Sequence, residues 1–134
     1  ELGVDVLNVA GLEIMAALRP GTPLELVRGL NELAYVHVVE AAVVPPEGYG
    51  RRLTLADVAM YRAIATATAK PVVVPSERRI EPGDMEWLRQ AGISAVMAGI
   101  VVFGEASPEA VGRTVEAFDR AGRSPKSASG GLER

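Results

Sequence analysis

The sequence contains no cysteine and only one histidine, His37, among 134 residues. Without a thiol, the chain can form no disulfide, thiolate zinc site or iron–sulfur cluster, and it has no cysteine nucleophile. A single histidine also excludes a multi-histidine metal site within one chain. We therefore predict no metal site, and the residues point to no particular cofactor. The lack of cysteine is typical of cytoplasmic proteins, and we expect that location.

Long apolar runs and excess positive charge are missing as well. No apolar run approaches the roughly 18 residues that a membrane-spanning helix needs. The 17 Asp and Glu residues outnumber the 14 Lys and Arg residues, so the formal net charge is −3. We therefore expect neither nucleic acid nor a membrane as a partner. Only Lys70 and Lys126 are lysines. An arginine bias is typical of phosphate or carboxylate recognition, but equally of codon bias or a hot habitat.

The remaining composition is that of one globular domain, with 49% hydrophobic and 23% charged residues. We predict a single α/β domain over residues 1–121 and a disordered, Ser/Gly-rich tail over residues 122–134. The chain opens without Met, and "ELG" resembles the last turn of a helix, because Gly3 stands where helices commonly stop. This opening predicts that the chain is a fragment, a processed product or the ordered part of something longer.

Apolar, β-rich segments alternate with helical segments along the chain. We predict strands over 4–11, 35–44, 71–75 and 94–102, and helices over 23–34, 55–69, 82–91 and 108–121. Thr54 is the predicted N-cap of the second helix, with Asp57 three residues on, and Ser107 is the predicted N-cap of the last helix. Residues 12–21 are predicted to form a short helix or a lid-like loop. The stretch "PPEGYGRR" (45–52) is a second candidate lid, and the alternative is an ordinary surface turn.

The order of these segments predicts a parallel sheet. "PVVVP" and "AVMAGIVV" are nearly continuous apolar runs, which indicates burial on both faces of the sheet. Four such strands form either a (βα)4 half of a TIM barrel or a flavodoxin-like doubly wound sheet. The half-barrel requires the strand order 1-2-3-4, whereas the doubly wound sheet has a switch point. A half-barrel also leaves two open edges and an apolar inner face, so we expect a homo-oligomer or a missing N-terminal half.

The stretch "KPVVVPSERRIEPGDMEWLRQAGISAVMAGIVVFGEASPEAV" resembles the last two βα units of phosphate-binding TIM barrels, such as the isomerase and synthase group of histidine biosynthesis. The match covers about residues 70–118. The resemblance implies that the chain is the C-terminal half of such a barrel, in which two loops together hold a substrate phosphate. It implies that Ser76 belongs to the seventh-strand loop, and that Gly99 and Ile100 lie at the end of the eighth strand, close to bound anion.

The chain departs from that family in the turn "PSERRI" (75–80), where the family usually has a pair of glycines. Pro75 lacks an amide donor, so Arg78 and Arg79 would have to replace amide recognition by guanidinium recognition. A carboxylate would fit such a turn as well as a phosphate. The alternative is that both arginines are solvated and pair with Glu77 or Glu81.

Other polar residues are candidates for chemistry. Glu40 lies inside an apolar strand, where a carboxylate serves as a general base or substrate anchor, or forms a buried ion pair with an arginine such as Arg78. Asn8, at the end of the first strand, would orient a substrate group or cap a turn. Ser107 and the helix start after it are a competent anion site, or simply a good helix start. We expect His37 to be a hydrogen-bonded structural residue.

These residues lead to two functional hypotheses. The first is a half-barrel that binds a small anionic or phosphorylated metabolite at the carboxyl ends of its strands. If such a protein is an enzyme, we expect a lyase or isomerase in which Glu40 and Asn8 act in acid–base chemistry. The second is a non-catalytic half-barrel that associates with a partner half.

Overall fold

The computed structural model describes residues 11–104 and 107–123. The described strands form one parallel sheet in the order β1-β2-β3-β4. Its strands are β1 (Ile14–Ala17), β2 (Val36–Glu40), β3 (Val72–Pro75) and β4 (Ala95–Met97). The helices are α1 (Leu24–Gly29), α2 (Leu55–Ala67), α3 (Met85–Gln90), α4 (Ile100–Phe103) and α5 (Pro108–Arg123). The predicted α/β class is confirmed, and the described strands have the sequential order that we predicted for a half-barrel.

The first strand of the sheet lies within residues 12–21, so the prediction of a short helix or a lid-like loop there was wrong. Ala16 pairs with Val39 of β2, and Ala17 pairs with Glu40. The local sequence Ile-Met-Ala-Ala contains good helix formers, and pairing with β2 overrides that weak preference. The strand predicted over residues 4–11 lies outside the described residues, apart from Gly11.

The strand predicted over residues 94–102 was wrong in its second half. Only Ala95–Met97 forms a strand, and Ile100–Phe103 forms one helical turn. Gly99 begins this turn, because its carbonyl accepts hydrogen bonds from the N–H groups of Val102 and Phe103. The β-branched residues after Gly99 favour a strand, but the turn at Gly99 has already ended the pairing with β3.

Two helix starts follow the predicted capping chemistry. The Thr54 side chain accepts a hydrogen bond from the Asp57 N–H, and the Asp57 carboxylate accepts one from the Thr54 N–H. At the start of α5, Ser107 Oγ accepts from the Ala110 N–H at 3.2 Å. Helix α5 runs to Arg123, so the first two residues of the predicted tail are helical. The rest of that tail lies outside the described residues.

The two faces of the sheet are covered very differently. On one face, Val39, Val72 and Val74 are completely buried and belong to the core, together with side chains of α1, α2 and α3. On the other face, which we call the open face, no described residue is buried. The open face consists of Met15, Ala17, Val38, Glu40, Val73, Pro75, Ala95 and Met97. This asymmetry is expected for sequential parallel strands, because crossovers of one hand put all the helices on one side of the sheet.

Candidate functional site

The turn after β3 is joined directly to the end of β4. Ser76 is 8% exposed, its Oγ accepts a hydrogen bond from the Gly99 N–H at 2.7 Å, and its N–H donates to the Met97 carbonyl at 3.0 Å. A Cβ on Gly99 would lie 3.3 Å from Ser76 Oγ, so this close approach favours glycine. Ser76 and Gly99, which the family resemblance placed at one site, do lie together.

The Arg78 side chain is largely buried and links Asp57 to the Gly48 backbone. Its Nη2 donates to Asp57 Oδ1 at 3.0 Å, and its Nη1 donates to the Gly48 carbonyl at 2.9 Å. Its Nε lies 3.0 Å from Asp57 Oδ2, at an angle too bent for a hydrogen bond. The Arg78 and Asp57 side chains are only 13% and 12% exposed. Arg78 is therefore paired with Asp57, and not with the carboxylates that we considered for it.

The charge of Asp57 is stabilised by the same contacts. Burial alone would raise the pKa of Asp57, but hydrogen bonds from Thr54 and the Arg78 guanidinium outweigh it and lower that pKa below its usual value. Asp57 is thus ionised under ordinary conditions, as the pairing with Arg78 requires. Gly48 is also needed here, because a Cβ on it would lie 2.8 Å from Arg78 Nη1.

Glu77 ties the loop over residues 45–52 to the same turn. Its Oε2 accepts from the Val44 N–H at 3.1 Å, and its Oε1 accepts from the Tyr49 hydroxyl at 3.0 Å. The Glu77 carbonyl accepts from the Gly50 N–H at 2.8 Å. The hydrogen bond to Glu77 raises the pKa of the Tyr49 phenol. The candidate lid is therefore held against the β3 turn in this structure.

Arg79 differs from Arg78 in both exposure and partners. Its side chain is 55% exposed, and its nearest carboxylate contact is Glu81, 3.9 Å from Nε. Glu81 lies much closer to Arg52, at 2.7 Å. Arg79 lines a cleft of about 450 Å³ together with a second cation, Arg113 of α5. Arg113 makes no ion pair with any other residue in the described ranges.

Most of this cleft, which we call the arginine cleft, is apolar. It lies between the residues after β3, helix α4 and helix α5, and its apolar lining includes Val101, Val102 and Phe118. Val102 and Phe118 also pack against the buried core. The arginine cleft therefore lies on the covered side of the sheet, beyond the carboxyl ends of β3 and β4.

Glu40 lies away from this cleft. It ends β2 on the open face, between Ala17 of β1 and Val73 of β3. Its carboxylate has no ion-pair partner within the described part of the chain. The structure therefore does not bring the predicted base together with Arg79. Asn8, the other predicted catalytic residue, lies outside the described residues.

The remaining predicted residues have local structural contacts. Ser107 is the capping residue of α5, as described above. His37 Nδ1 accepts a hydrogen bond from the Ile14 N–H at 3.3 Å, which confirms the expected hydrogen-bonded histidine. Within residues 11–104 and 107–123, no group of three or more acidic or histidine side chains is arranged to hold a metal ion.

Sequence reasoning missed two residues of this region. Asp57 was recognised only as a helix cap, although it also pairs with Arg78, which is 21 positions away. Arg113 lies on the exposed side of a predicted helix, and nothing near it in sequence connects it with Arg79. The proximity of Asp57 to Arg78 and of Arg113 to Arg79 depends on how the loops fold over the strand ends. A local sequence pattern carries no information about that fold.

No protein-family model matches the chain, and no curated protein matches it. The resemblance to phosphate-binding barrels therefore stays a prediction based on the residues quoted above. In the part of the chain that the structure describes, no helix combines the length and apolar character needed to cross a membrane.

Proposed function

We propose that this protein binds a small anionic metabolite, a phosphate or carboxylate with an apolar body, in the arginine cleft. The observation that carries this proposal is that Arg79 and Arg113, from distant parts of the chain, line one largely apolar cleft. The cleft lies beyond the carboxyl ends of two neighbouring parallel strands, which is the edge where ligands of such sheets commonly bind.

The charges around the cleft support an anionic ligand. The chain as a whole carries a formal charge of −3, yet this cleft is lined by two guanidinium groups. Glu81 is the one carboxylate among the described residues that line it, and it is engaged by Arg52 at 2.7 Å. A guanidinium group presents several donors in a planar fork, which suits bidentate contact with phosphate or carboxylate oxygens.

The size and lining of the cleft support a ligand with an apolar portion. A cleft of about 450 Å³ accommodates a small metabolite. Val101, Val102 and Phe118 offer contacts that a bare inorganic anion would not use. We therefore expect an alkyl phosphate to bind more tightly than inorganic phosphate, because burial of each methylene group contributes up to about 0.8 kcal/mol.

Other predicted residues support this site without lining it. The hydrogen bond between Ser76 and Gly99 fixes the start of α4, which supplies Val101 and Val102 to the cleft. Arg78 anchors the turn that carries Arg79. Glu40 lies on the opposite face of the sheet, so the proposal concerns binding and assigns Glu40 no chemistry at this cleft.

Titration calorimetry with inorganic phosphate and butyl phosphate tests the proposal. The double variant Arg79→Ala/Arg113→Ala should lose at least about tenfold in affinity for butyl phosphate. Arg28→Ala is the matched control, because the Arg28 side chain is 60% exposed and lies on α1. We expect this control to bind like the unmodified protein. Equal affinity in the double variant, or no binding of either probe, would contradict the proposal.

A further inference from the structure

We propose that the open face closes against a second copy of this chain to form an eight-stranded parallel barrel. In this dimer, β4 of each copy pairs with β1 of the other. The inference does not depend on the arginine cleft, which lies on the other side of the sheet. It rests on the composition of the open face, on the two sheet edges and on an apolar cavity lined by β4 and α5.

The open face has the composition of an interface. Seven of its eight residues are apolar, and Glu40 is the exception. Met15 and Met97, on the two outer strands, are 45% and 42% exposed. Their neighbours on the covered face, such as Val74, are completely buried. A largely apolar surface of this kind marks an interaction site, because soluble proteins rarely leave one uncovered.

The two unpaired sheet edges favour closure with a second copy of this chain over simple stacking of two open faces. Among the described strands, β1 and β4 each have one neighbour, and all four strands run in the same direction. When β4 pairs with β1 of a second copy, all strands of the combined sheet therefore remain parallel. Two such joints, related by a twofold axis, close the sheet and leave no edge unpaired. Simple stacking of two open faces would leave all four edges exposed.

A cavity lined by residues of β4, α4 and α5 gives further support. It measures about 440 Å³, and its apolar lining includes Val96, Phe103 and Val115. Val115, on α5, is 52% exposed. In the closed barrel the unit beyond β4 is β1 and α1 of the second copy, and α1 carries Leu26 with 64% of its surface exposed. The second copy would thus cover exposed apolar side chains on both α5 and α1.

Light scattering on the purified chain tests the association. We expect a mass of twice the chain mass, and we expect Met15→Glu and Met97→Glu to reduce it to that of a single chain. Met60→Glu on α2 is the matched control, because Met60 is 49% exposed but lies on the covered side. This control should remain a dimer. Single-chain mass for the unmodified protein at every concentration, or a dimer that survives both open-face substitutions, would overturn the proposal.

A substitution on a helix is needed as well, because the strand variants could lose the dimer simply by failing to fold. Val115→Glu leaves the sheet unchanged and should weaken dimerisation at least about tenfold, with the far-ultraviolet circular dichroism preserved. Amide hydrogen exchange then tests the closure itself. We expect β1 and β4 amides to be protected in the dimer and to exchange faster in Val115→Glu.

Two exchange results would contradict barrel closure. A dimer whose β1 and β4 amides exchange as fast as in the Val115→Glu variant would indicate face-to-face stacking. A monomer with protected β1 amides would indicate that residues preceding Gly11 cover that edge.

Discussion

The two faces of the sheet are built from alternating residues of the same strands, yet within the described residues only one of them forms a core. In β3, Val72 and Val74 are 1% and 0% exposed, whereas Val73 between them is only half-buried. The three side chains are chemically identical, so hydrophobicity does not distinguish the faces. The crossover connections distinguish the two faces, because they place the helices on one side of the sheet. An apolar strand therefore indicates two apolar faces, but the rest of the fold decides which face the chain covers by itself.

The largest expected effect contrasts two adjacent arginines. Arg78→Ala should lower the free energy of unfolding by about 3 kcal/mol, because it leaves the largely buried Asp57 carboxylate without its guanidinium partner. Arg79→Ala should change it by less than about 0.5 kcal/mol, because that side chain is more than half exposed. Urea denaturation measures both values. Equal losses of unfolding free energy in the two variants would contradict the description of Arg78 as buried and paired and of Arg79 as exposed.

A second contrast uses adjacent valines of β3. Val74→Ala should cost about 2 kcal/mol through lost burial and the cavity left behind, whereas Val73→Ala should cost less than about 1 kcal/mol. Urea denaturation at low protein concentration keeps association from contributing. A Val73→Ala loss as large as that of Val74→Ala would mean that the open face is already covered within one chain.

These contrasts also show what could be read from the sequence. The parallel α/β sheet and the caps at Thr54 and Ser107 follow from periodicity and local side-chain chemistry, and the structure confirms them. The sequence left two strand orders open, and the described strands have the sequential one. The strand β1 could not be read, because pairing with β2 overrides a local helix preference. The apolar run "PVVVP" also predicted burial on both faces of the sheet. The described residues instead bury only the face that carries Val72 and Val74.

The candidate site was less predictable than the fold. The turn "PSERRI" was correctly located at a strand end, but its two arginines have different environments. Arg78 points to Asp57 and Gly48, and Arg79 lines the cleft with Arg113. All three partners lie at least 21 positions from these arginines in the sequence. Only the folded path of the intervening loops determines such pairs.

A smaller effect is expected in the pH dependence of stability. The folded-state pKa of Asp57 is lowered, so its contribution is fully present above the unfolded value of about 3.9 and is lost as the pH falls through the lower folded value. Unfolding free energies measured by urea from neutral pH to below pH ~4 should therefore fall less steeply in Asp57→Asn than in the unmodified protein. If the unfolding free energy falls equally steeply with decreasing pH in both proteins, the role assigned to Asp57 is contradicted.

The smallest expected effect is at Glu40 on the open face. Glu40→Gln should change the stability of the single chain by less than about 0.5 kcal/mol, because the carboxylate has no ion-pair partner among the described residues. Urea denaturation in the Val115→Glu background at low protein concentration, where association is weakened, isolates this value. A loss of more than about 1 kcal/mol would reveal a partner for Glu40.

The most direct test of the account is a butyl phosphate titration followed by amide NMR, because it shows which side of the sheet binds the anion. We predict shifts at Arg79, in α4 and around Arg113, with the amides of Glu40, Val73 and Met97 unchanged. Shifts confined to those three open-face residues would contradict the account and place the anion on the opposite side of the sheet.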